Sequence, residues 1–285
     1  MIKLTECPRD AMQGIKDFIP TELKADYINS LLKVGFDTID FGSFVSPKAI
    51  PQMQDTPEVL KRLDLTSTKS KLLAIIANTR GAEDAVQHDE IHYLGFPFSI
   101  SETFQQRNTN SSISESLKRV EEIQTLCSKK NKTLLVYLSM AFGNPYNDEW
   151  SSEIVIKWAN QLHQLGIREI ALADTTGVSD KENIHYLFNR LIPEFKDVGF
   201  IAHLHSRKEN SSEKINAAFE SGCKRFDSAI HGFGGCPMAK DDLTGNIATQ
   251  DVLNYFESKA IDLNLNKDAL FTSMEKSWEI FNHYH

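Results

Sequence analysis

Several features that would place a protein outside the ordinary globular class are missing from this chain of 285 residues. It contains no uninterrupted run of eighteen or more apolar residues, which argues against a transmembrane helix. Its formal net charge of −8 lacks the positive excess of proteins that bind nucleic acid or anionic membranes. A strand-like run begins at Ile2, without the pattern of a signal or transit peptide. We therefore expect a cytoplasmic protein with neither nucleic acid nor membrane as its partner.

Paired cysteines, a dinucleotide fingerprint and linkers are missing too. Cys7, Cys127, Cys223 and Cys236 are widely spaced and form no Cys-x-x-Cys pair, so free thiols are the simpler interpretation. No Gly-x-Gly-x-x-Gly follows the first strand-like run, which weakens a dinucleotide-binding interpretation. With 41% hydrophobic residues and no low-complexity stretch, the chain can bury a sizeable core.

What the chain does have is a regular alternation of strand-like and helix-like segments. Eight apolar runs are strand-like: Ile2–Cys7, Thr38–Gly42, Leu72–Ala77, Ile91–Phe98, Leu134–Met140, Glu169–Ala173, Phe200–His205 and Arg225–Ile230. Segments between them show helical spacing: Thr21–Val34, Ile113–Ser128, Ser152–Leu165, Lys181–Leu191 and Ser212–Ser221. Gly35, Gly166 and Gly222 each follow a helical run, as glycines do just past a helix end.

Eight such repeats of about thirty residues predict a (β/α)₈ TIM barrel. A doubly wound open sheet is the alternative, because alternation alone does not establish closure. We predict a single domain, residues 1–285, with the barrel over about 1–262 and a C-terminal helical extension over about 263–285. The extension contains a predicted helix, Asn266–His283.

The seventh strand-like run carries a pair of histidines. Because side chains alternate along a strand, His203 and His205 would point the same way, with Cβ atoms about 6.5–7 Å apart. Both imidazoles could then reach one metal ion at about 2.0–2.2 Å. A lone strand histidine is usually a packed core residue, whereas for a pair the two interpretations are about equally good.

Other polar residues lie in or just after the predicted strands, toward the carboxyl ends where a barrel places its active site. Together with the histidine pair they are Arg9, Asp10, Asp40, Asn78, Ser139, Asp174, Cys236 and Asn246. This set is too polar for a core and suits a hard divalent ion with an oxygen-rich substrate. Taken singly, Asp10 and Asp174 could be caps, and Arg9 could be an ion-pair partner of Asp40. The prediction therefore depends on their coincidence at one end of the barrel.

With these residues in view, the chain resembles the 3-hydroxy-3-methylglutaryl-CoA lyases, within the metal-dependent barrel lyases and Claisen-condensing synthases. The matching stretches are Pro8-Arg9-Asp10 with Gln13, Ser43-Phe44-Val45-Ser46-Pro47-Lys48, Pro51-Gln52-Met53, Gly143 with Pro145-Tyr146, Asp174-Thr175 with Gly177-Val178, His203-x-His205, Gly232 with Gly234-Gly235-Cys236-Pro237, and Gly245-Asn246 with Ala248-Thr249. They run in order from about Glu6 to about Asp251. The Ser-Phe-Val-Ser-Pro-Lys and Gly-Gly-Cys-Pro strings are specific to the lyase branch.

The resemblance implies a divalent ion, Mg²⁺ or Mn²⁺, and a retro-Claisen cleavage of 3-hydroxy-3-methylglutaryl-CoA to acetyl-CoA and acetoacetate. The implied metal ligands are Asp10, His203, His205 and Asn246. Arg9 would polarise the thioester carbonyl, Cys236 would protonate the departing carbanion from a mobile loop, and Asp10 or one of the histidines would be the base. Residues implied around the substrate or behind the ligands are Gln13, Asp40, Ser43, Ser139 and Asp174.

For partners and setting, the resemblance implies an acyl-CoA substrate, a homodimer and a place in leucine degradation. Two departures from the family pattern stand out. Asp40 replaces the family's Glu and is one methylene shorter, so we expect its contact to be lost or bridged by water. Ser206-Arg207-Lys208-Glu209 follows His205, where the family continues Asp-Thr. The alternatives are a related aldolase or acyl-CoA Claisen synthase, or a catalytically silent barrel that binds metal or acyl-CoA.

Overall fold

Eight parallel strands close into a barrel in the computed structural model, which describes residues 1–235 and 244–284. The strands follow one another around the barrel in sequence order, and the last pairs with the first. They are β1 (Lys3–Glu6), β2 (Thr38–Ser43), β3 (Lys71–Ile75), β4 (Ile91–Ser99), β5 (Thr133–Ser139), β6 (Glu169–Ala173), β7 (Gly199–His203) and β8 (Arg225–Ser228). The TIM-barrel prediction is confirmed, and the open doubly wound sheet is wrong.

The helices of the described residues surround this barrel. They are α1 (Pro8–Met12), α2 (Thr21–Leu32), α3 (Thr56–Leu60), α4 (Thr79–Ala85), α5 (Glu102–Thr109), α6 (Ile113–Lys129), α7 (Ser152–Gln164), α8 (Lys181–Glu194), α9 (Lys208–Glu220), α10 (Thr249–Ser258) and α11 (Lys267–Tyr284), with short 3₁₀ turns at Pro51–Met53 and Ile230–Gly232. Helix α9 begins four residues before the predicted start. None of the described helices is both long and apolar enough to cross a membrane.

Gly166 and Gly222 directly follow the C-cap residues of α7 and α9, as predicted, whereas α2 ends at Leu32 and Gly35 lies two residues past its C-cap. Gly35, Gly166 and Gly222 have φ values of 96°, 88° and 93°, in the left-handed region that glycine enters at little steric cost. Each lets the chain turn from a helix back toward the barrel. The helical spacing and these glycines together predict the repeats from the sequence.

The core lies in two layers. Outward-facing strand residues pack with the helices in one large cluster, to which Leu94 and Val136 belong. A second, smaller cluster is formed by the alternate strand positions Leu73, Tyr93, Leu135, Tyr137, Ala171 and Ile201. Because side chains alternate along a strand, these residues fill the barrel interior. The next inward positions toward the carboxyl ends are polar: Ser139 follows Tyr137, and His203 follows Ile201.

The C-terminal helix α11 packs against α2, where the Ser273 hydroxyl donates to the Ser30 hydroxyl across 2.9 Å. Its bounds confirm the predicted helix over Asn266–His283 to within one residue at each end. That residues 1–285 form one domain stays a prediction.

Candidate active site

A single helical turn places two of the predicted site residues over the barrel mouth. Strand β1 ends at Glu6, and Pro8 starts α1 at the first helical position, where its missing N–H costs no hydrogen bond. Arg9 and Asp10 lie on this turn and are buried. The sequence predicted both residues directly after the first strand and did not reveal the turn between them and the strand.

Asp10, His203 and His205 converge at the carboxyl end of the barrel. Their side chains offer three potential ligand atoms that all lie within 4.8 Å of one another. Relative exposures are 7%, 8% and 2%, so bulk water does not satisfy these groups. Within the described residues, neither ring nitrogen of His205 has a hydrogen-bond partner. Buried polar atoms rarely lack a partner in native proteins, and a bound cation would supply one to a His205 ring nitrogen. The donor set therefore fits a divalent metal ion.

His203 is oriented by a carboxylate that the sequence analysis missed. Its Nδ1 lies 3.0 Å from the buried Asp227 Oδ2, which leaves Nε2 available as the ligand atom. Burial alone would lower the pKa of His203, but the hydrogen bond and charge of Asp227 raise it above the ordinary value. An acidic residue at an inward position of a buried strand was the available signal for Asp227.

His205 lies beyond the end of β7 and is held by a backbone bridge. It forms an isolated antiparallel bridge with Asn246, flanked by hydrogen bonds from Ser206 N to Gly245 O at 3.0 Å and from Ile247 N to Leu204 O at 3.2 Å. The prediction that His205 belongs to the strand is wrong in detail. The bridge nevertheless keeps the two imidazoles adjacent, with ring centroids 5.4 Å apart.

The same bridge brings the fourth predicted ligand to the cluster. Asn246 is buried, and its Nδ2 donates to Asp10 Oδ2 at 2.6 Å and to the Phe233 carbonyl at 3.1 Å. Rotation of the Asn246 amide group about its Cβ–Cγ bond would turn Oδ1, in place of Nδ2, toward the cluster. The side chain therefore borders the carboxylate that it was predicted to accompany.

Arg9 is clamped between two carboxylates. Its Nε donates to Asp40 at 3.0–3.1 Å and its Nη2 at 2.5 Å, while Nη1 donates to Asp10 Oδ1 at 3.1 Å. Gln13 completes the group, accepting from Arg9 at 2.9 Å and donating to Asp10 at 2.7 Å. The expectation that the shorter side chain of Asp40 loses its contact or needs a bridging water is wrong for its contact with Arg9, which is direct. The interpretation of Arg9 and Asp40 as an ion pair is confirmed, and bidentate pairing fixes the guanidinium.

The remaining predicted residues separate into two groups. Ser43 and Ser139 line the cavity, whereas Asp174 lies behind it and accepts from Ser179 Oγ at 2.5 Å and Lys214 Nζ at 2.9 Å. Asn78 caps α4 by accepting from the Gly81 N–H at 2.9 Å, which accounts for its position after β3. Cys236 lies outside the described residues.

A cavity of about 140 Å³ opens above the cluster. Its lining includes the polar side chains of Arg9, Asp10, His203 and His205 as well as apolar residues such as Ile75. Such a lining can hold a small molecule that carries both oxygen atoms and a hydrocarbon part.

The protonation states of His205 and Asp10 favour metal binding near neutral pH. Burial lowers the pKa of His205 to about 4, which keeps the imidazole neutral. Burial would raise the pKa of Asp10, but Arg9 and the two histidines hold it below its ordinary value. A neutral imidazole and an ionised carboxylate are the forms that bind a cation.

Comparisons with known proteins agree with one another. The family model described as HMGL-like matches residues 3–275. A hydroxymethylglutaryl-CoA lyase of Bacillus subtilis is 32% identical over 93% of this chain and 88% of its own length. The human cytoplasmic 3-hydroxy-3-methylglutaryl-CoA lyase is 31% identical over 93% of this chain and 71% of its own.

Solved structures give the same grouping. The crystal structure of a Bacillus subtilis HMG-CoA lyase has a TM-score of 0.91 at 31% identity, covering 99% of this chain and 94% of that one. An HMG-CoA lyase of Acinetobacter baumannii, solved with coenzyme A and 3-methylmalate, has a TM-score of 0.89 at 30% identity, covering 96% and 89%.

Proposed function

The chain belongs to the HMGL-like family, and we propose that it cleaves 3-hydroxy-3-methylglutaryl-CoA to acetyl-CoA and acetoacetate as a carbon–carbon lyase. The observation that carries this proposal is the convergence of Asp10, His203 and His205 beneath a cavity. It is supported by relatives that bear the lyase name and match nearly the whole chain.

For the metal, the proposal is that Asp10, His203, His205 and Asn246 hold Mg²⁺ or Mn²⁺. The unpartnered His205 nitrogens and the proximity of the ligand atoms support this assignment. A carboxylate and an amide are oxygen ligands of the kind that both ions take. When bound, the cation would supply Lewis-acid polarisation of the substrate's 3-hydroxyl.

The chain's own residues carry the proton and charge changes of the proposed reaction. Asp10 or His203 takes the proton of the 3-hydroxyl, the bond between C2 and C3 breaks, and the alcohol carbon becomes the ketone of acetoacetate. The bonding electrons move into the thioester enolate, and the Arg9 guanidinium at the cavity wall stabilises the resulting oxyanion. Cys236 donates a proton to C2 and so completes acetyl-CoA. This role of Cys236 rests on the family resemblance alone.

The substrate proposal extends to the shape of the cavity. The acyl chain would place its hydroxyl beside Asp10 and His203, and its methyl group against apolar lining residues such as Ile75. The coenzyme A in the Acinetobacter structure supports an acyl-CoA as the substrate class. Gln13 and Asp40 would hold Arg9, and Ser43 and Ser139 would contact the substrate.

The proposed setting is a cytoplasmic homodimer that serves leucine degradation and binds neither nucleic acid nor membrane. The dimer and the pathway rest on the family resemblance, and the excluded partners rest on the net charge of −8. Light scattering on the purified protein tests the dimer, which requires twice the mass of the single chain.

The cleavage reaction is tested by incubating the protein with Mg²⁺ or Mn²⁺ and 3-hydroxy-3-methylglutaryl-CoA. We expect equal amounts of acetoacetate and acetyl-CoA, with no product when the metal is removed by a chelator. Tight binding of the CoA ester without product over hours would favour a catalytically silent barrel. Turnover of other substrates alone would favour an aldolase or a synthase.

Replacement of Asp227 by asparagine is expected to weaken Mn²⁺ binding about 10- to 100-fold, the usual effect of removing a hydrogen-bond partner from a metal-ligating histidine. The physical reason is that Asp227 holds the His203 ring and its Nδ1–H form. Electron paramagnetic resonance of free Mn²⁺ during a titration measures the dissociation constant.

Glu6→Gln is the matched control for that variant. Burial raises the pKa of Glu6 to about 8, so near pH 7 this side chain is largely the neutral acid, which glutamine resembles. Glu6 accepts from Ile230 N and Thr249 Oγ1, and neither partner is a proposed ligand. Its replacement should leave the Mn²⁺ dissociation constant within twofold. If the Mn²⁺ dissociation constant of Asp227→Asn equals that of Glu6→Gln, Asp227 has no role in metal binding.

A further inference from the structure

We propose that Lys214 is a positioning residue for the metal centre, which it serves by holding the backbone of His205. The inference rests on the proposed role of His205 as a ligand. Lys214 lies on α9, nine residues after the histidine. Its side chain is 2% exposed, an unusual state for a lysine unless it is paired.

The Lys214 ammonium group makes three contacts at the barrel mouth. Its Nζ donates to the His205 carbonyl at 2.7 Å, to Asp174 Oδ2 at 2.9 Å and to the Gly177 carbonyl at 3.1 Å. An ammonium has three protons to donate, so all of its capacity is used. These partners belong to the segments that follow β6 and β7, which Lys214 therefore ties together.

His205 needs such a support because its ring has none of its own. The His203 ring is held by Asp227, whereas neither nitrogen of His205 has a partner among the described residues. Strand β7 has already ended at His203, so the ladder of the sheet does not hold His205 either. Its position depends on its backbone, through the bridge to Asn246 on one side and Lys214 on the other.

The residues after His205 make the support more important. This is where the chain departs from the family's Asp-Thr, and Arg207, at the start of α9, makes no side-chain capping hydrogen bond. Lys214 reaches back from the second turn of that helix to the His205 carbonyl. Lys214, in the body of α9, thereby holds the segment before the helix, which Arg207 does not hold by a side-chain cap.

Asp174 makes the buried ammonium tolerable. It is 0% exposed and is fixed by the Ser179 hydroxyl and backbone N–H in addition to Lys214. A buried ion pair contributes little net stability, but the loss of one partner is costly because the other charge is left alone. Asp174 was predicted to lie around the substrate or behind the metal ligands, and in the structure it is the counterion of Lys214.

The test is a Mn²⁺ titration of Lys214→Met in the absence of any CoA ester. Methionine keeps the length of the side chain and removes the three donors. We expect the dissociation constant to rise 10- to 100-fold, the range seen when groups that orient metal ligands are removed. A value within twofold of wild type would overturn the proposal.

Lys24→Met is the matched control, because Lys24 is an equally buried lysine away from the cluster. Its side chain is also 2% exposed, and its Nζ donates to Asp55 Oδ1 at 2.7 Å and to the Gln52 carbonyl. Thermal unfolding should show destabilisation in both variants, whereas only Lys214→Met should lose Mn²⁺ affinity. An equal loss of Mn²⁺ affinity in the two variants would mean that removing any buried lysine weakens metal binding, and this result would also overturn the proposal.

A double variant, Asp174→Asn with Lys214→Met, separates positioning from folding. With both charges removed, no lone buried charge remains, so the thermal stability should recover relative to Lys214→Met. The His205 carbonyl still lacks its donor, so the Mn²⁺ dissociation constant should stay at least tenfold raised. Recovery of affinity together with stability would show a merely structural role.

These titrations also keep the inference apart from the proposed reaction, because metal binding is measured without substrate. If the wild-type protein binds Mn²⁺ and Lys214→Met weakens binding, the inference stands even where no acetoacetate is formed. If acetoacetate is formed and Lys214→Met binds Mn²⁺ as the wild type does, the reaction stands and the inference fails.

Discussion

His205→Leu is expected to abolish Mn²⁺ binding, and with it the cleavage of 3-hydroxy-3-methylglutaryl-CoA, without destabilising the metal-free protein. The two ring nitrogens of His205 are buried without partners in the described part of the chain. Each such atom costs about 1–3 kcal/mol when it is left unsatisfied, and leucine removes both. The imidazole therefore contributes to the protein mainly when a cation is present.

His231→Leu is the opposite case and the control for that experiment. The His231 Nε2 lies 3.1 Å from the Met274 carbonyl, and its Nδ1 lies 2.9 Å from Gln250 Nε2, so its ring is satisfied by the fold. Its φ of 64° is also less favourable for leucine than for histidine. Chemical denaturation should show a loss of about 1 kcal/mol or more, with the Mn²⁺ affinity unchanged. Destabilisation by His205→Leu with Mn²⁺ binding retained would assign His205 to the core instead.

Arg9→Met is expected to lower kcat about 10²- to 10³-fold, the usual effect of removing one donor from a developing oxyanion. The guanidinium is fixed by Asp40 and Asp10 before any substrate arrives, so its charge is already oriented toward the cavity. Methionine removes the charge while keeping a long side chain. Steady-state kinetics at saturating Mn²⁺ separate this effect on turnover from any change in metal affinity.

Asp40→Asn is the companion variant for Arg9. It keeps the guanidinium and weakens the bidentate contact that orients it, so we expect a smaller fall in kcat than in Arg9→Met. Arg9→Lys keeps the charge without the planar fork and should fall between the two. A kcat of Arg9→Met within tenfold of wild type would mean that a group other than Arg9 stabilises the enolate oxyanion.

The barrel could be predicted from the sequence because its signals are local. Each repeat carries its own apolar run, five of the segments between the runs show helical spacing, and three of these are followed by a glycine, as at Gly166. The convergence of Asp10 with the histidine pair followed from topology, because the carboxyl ends of parallel strands meet at one mouth.

The residues that support the site could not be predicted in the same way. Asp227 meets His203 only through the register between β7 and β8, where one described residue pair sets the alignment. Lys214 reads in the sequence as one charged residue of an amphipathic helix, and only the packing of α9 turns it inward toward Asp174. His205 lies beside His203, as predicted. The predicted reason, a continuous strand, is incomplete, because β7 ends at His203 and a bridge to Asn246 continues the extended backbone.

The most direct test of the central claim is anomalous diffraction from crystals of this protein soaked with Mn²⁺. We predict one strong peak within bonding distance of Asp10, His203 and His205, bordered by Asn246, and its absence in His205→Leu crystals. A strong peak elsewhere in the molecule, or a vacant cluster at saturating Mn²⁺, would contradict the account.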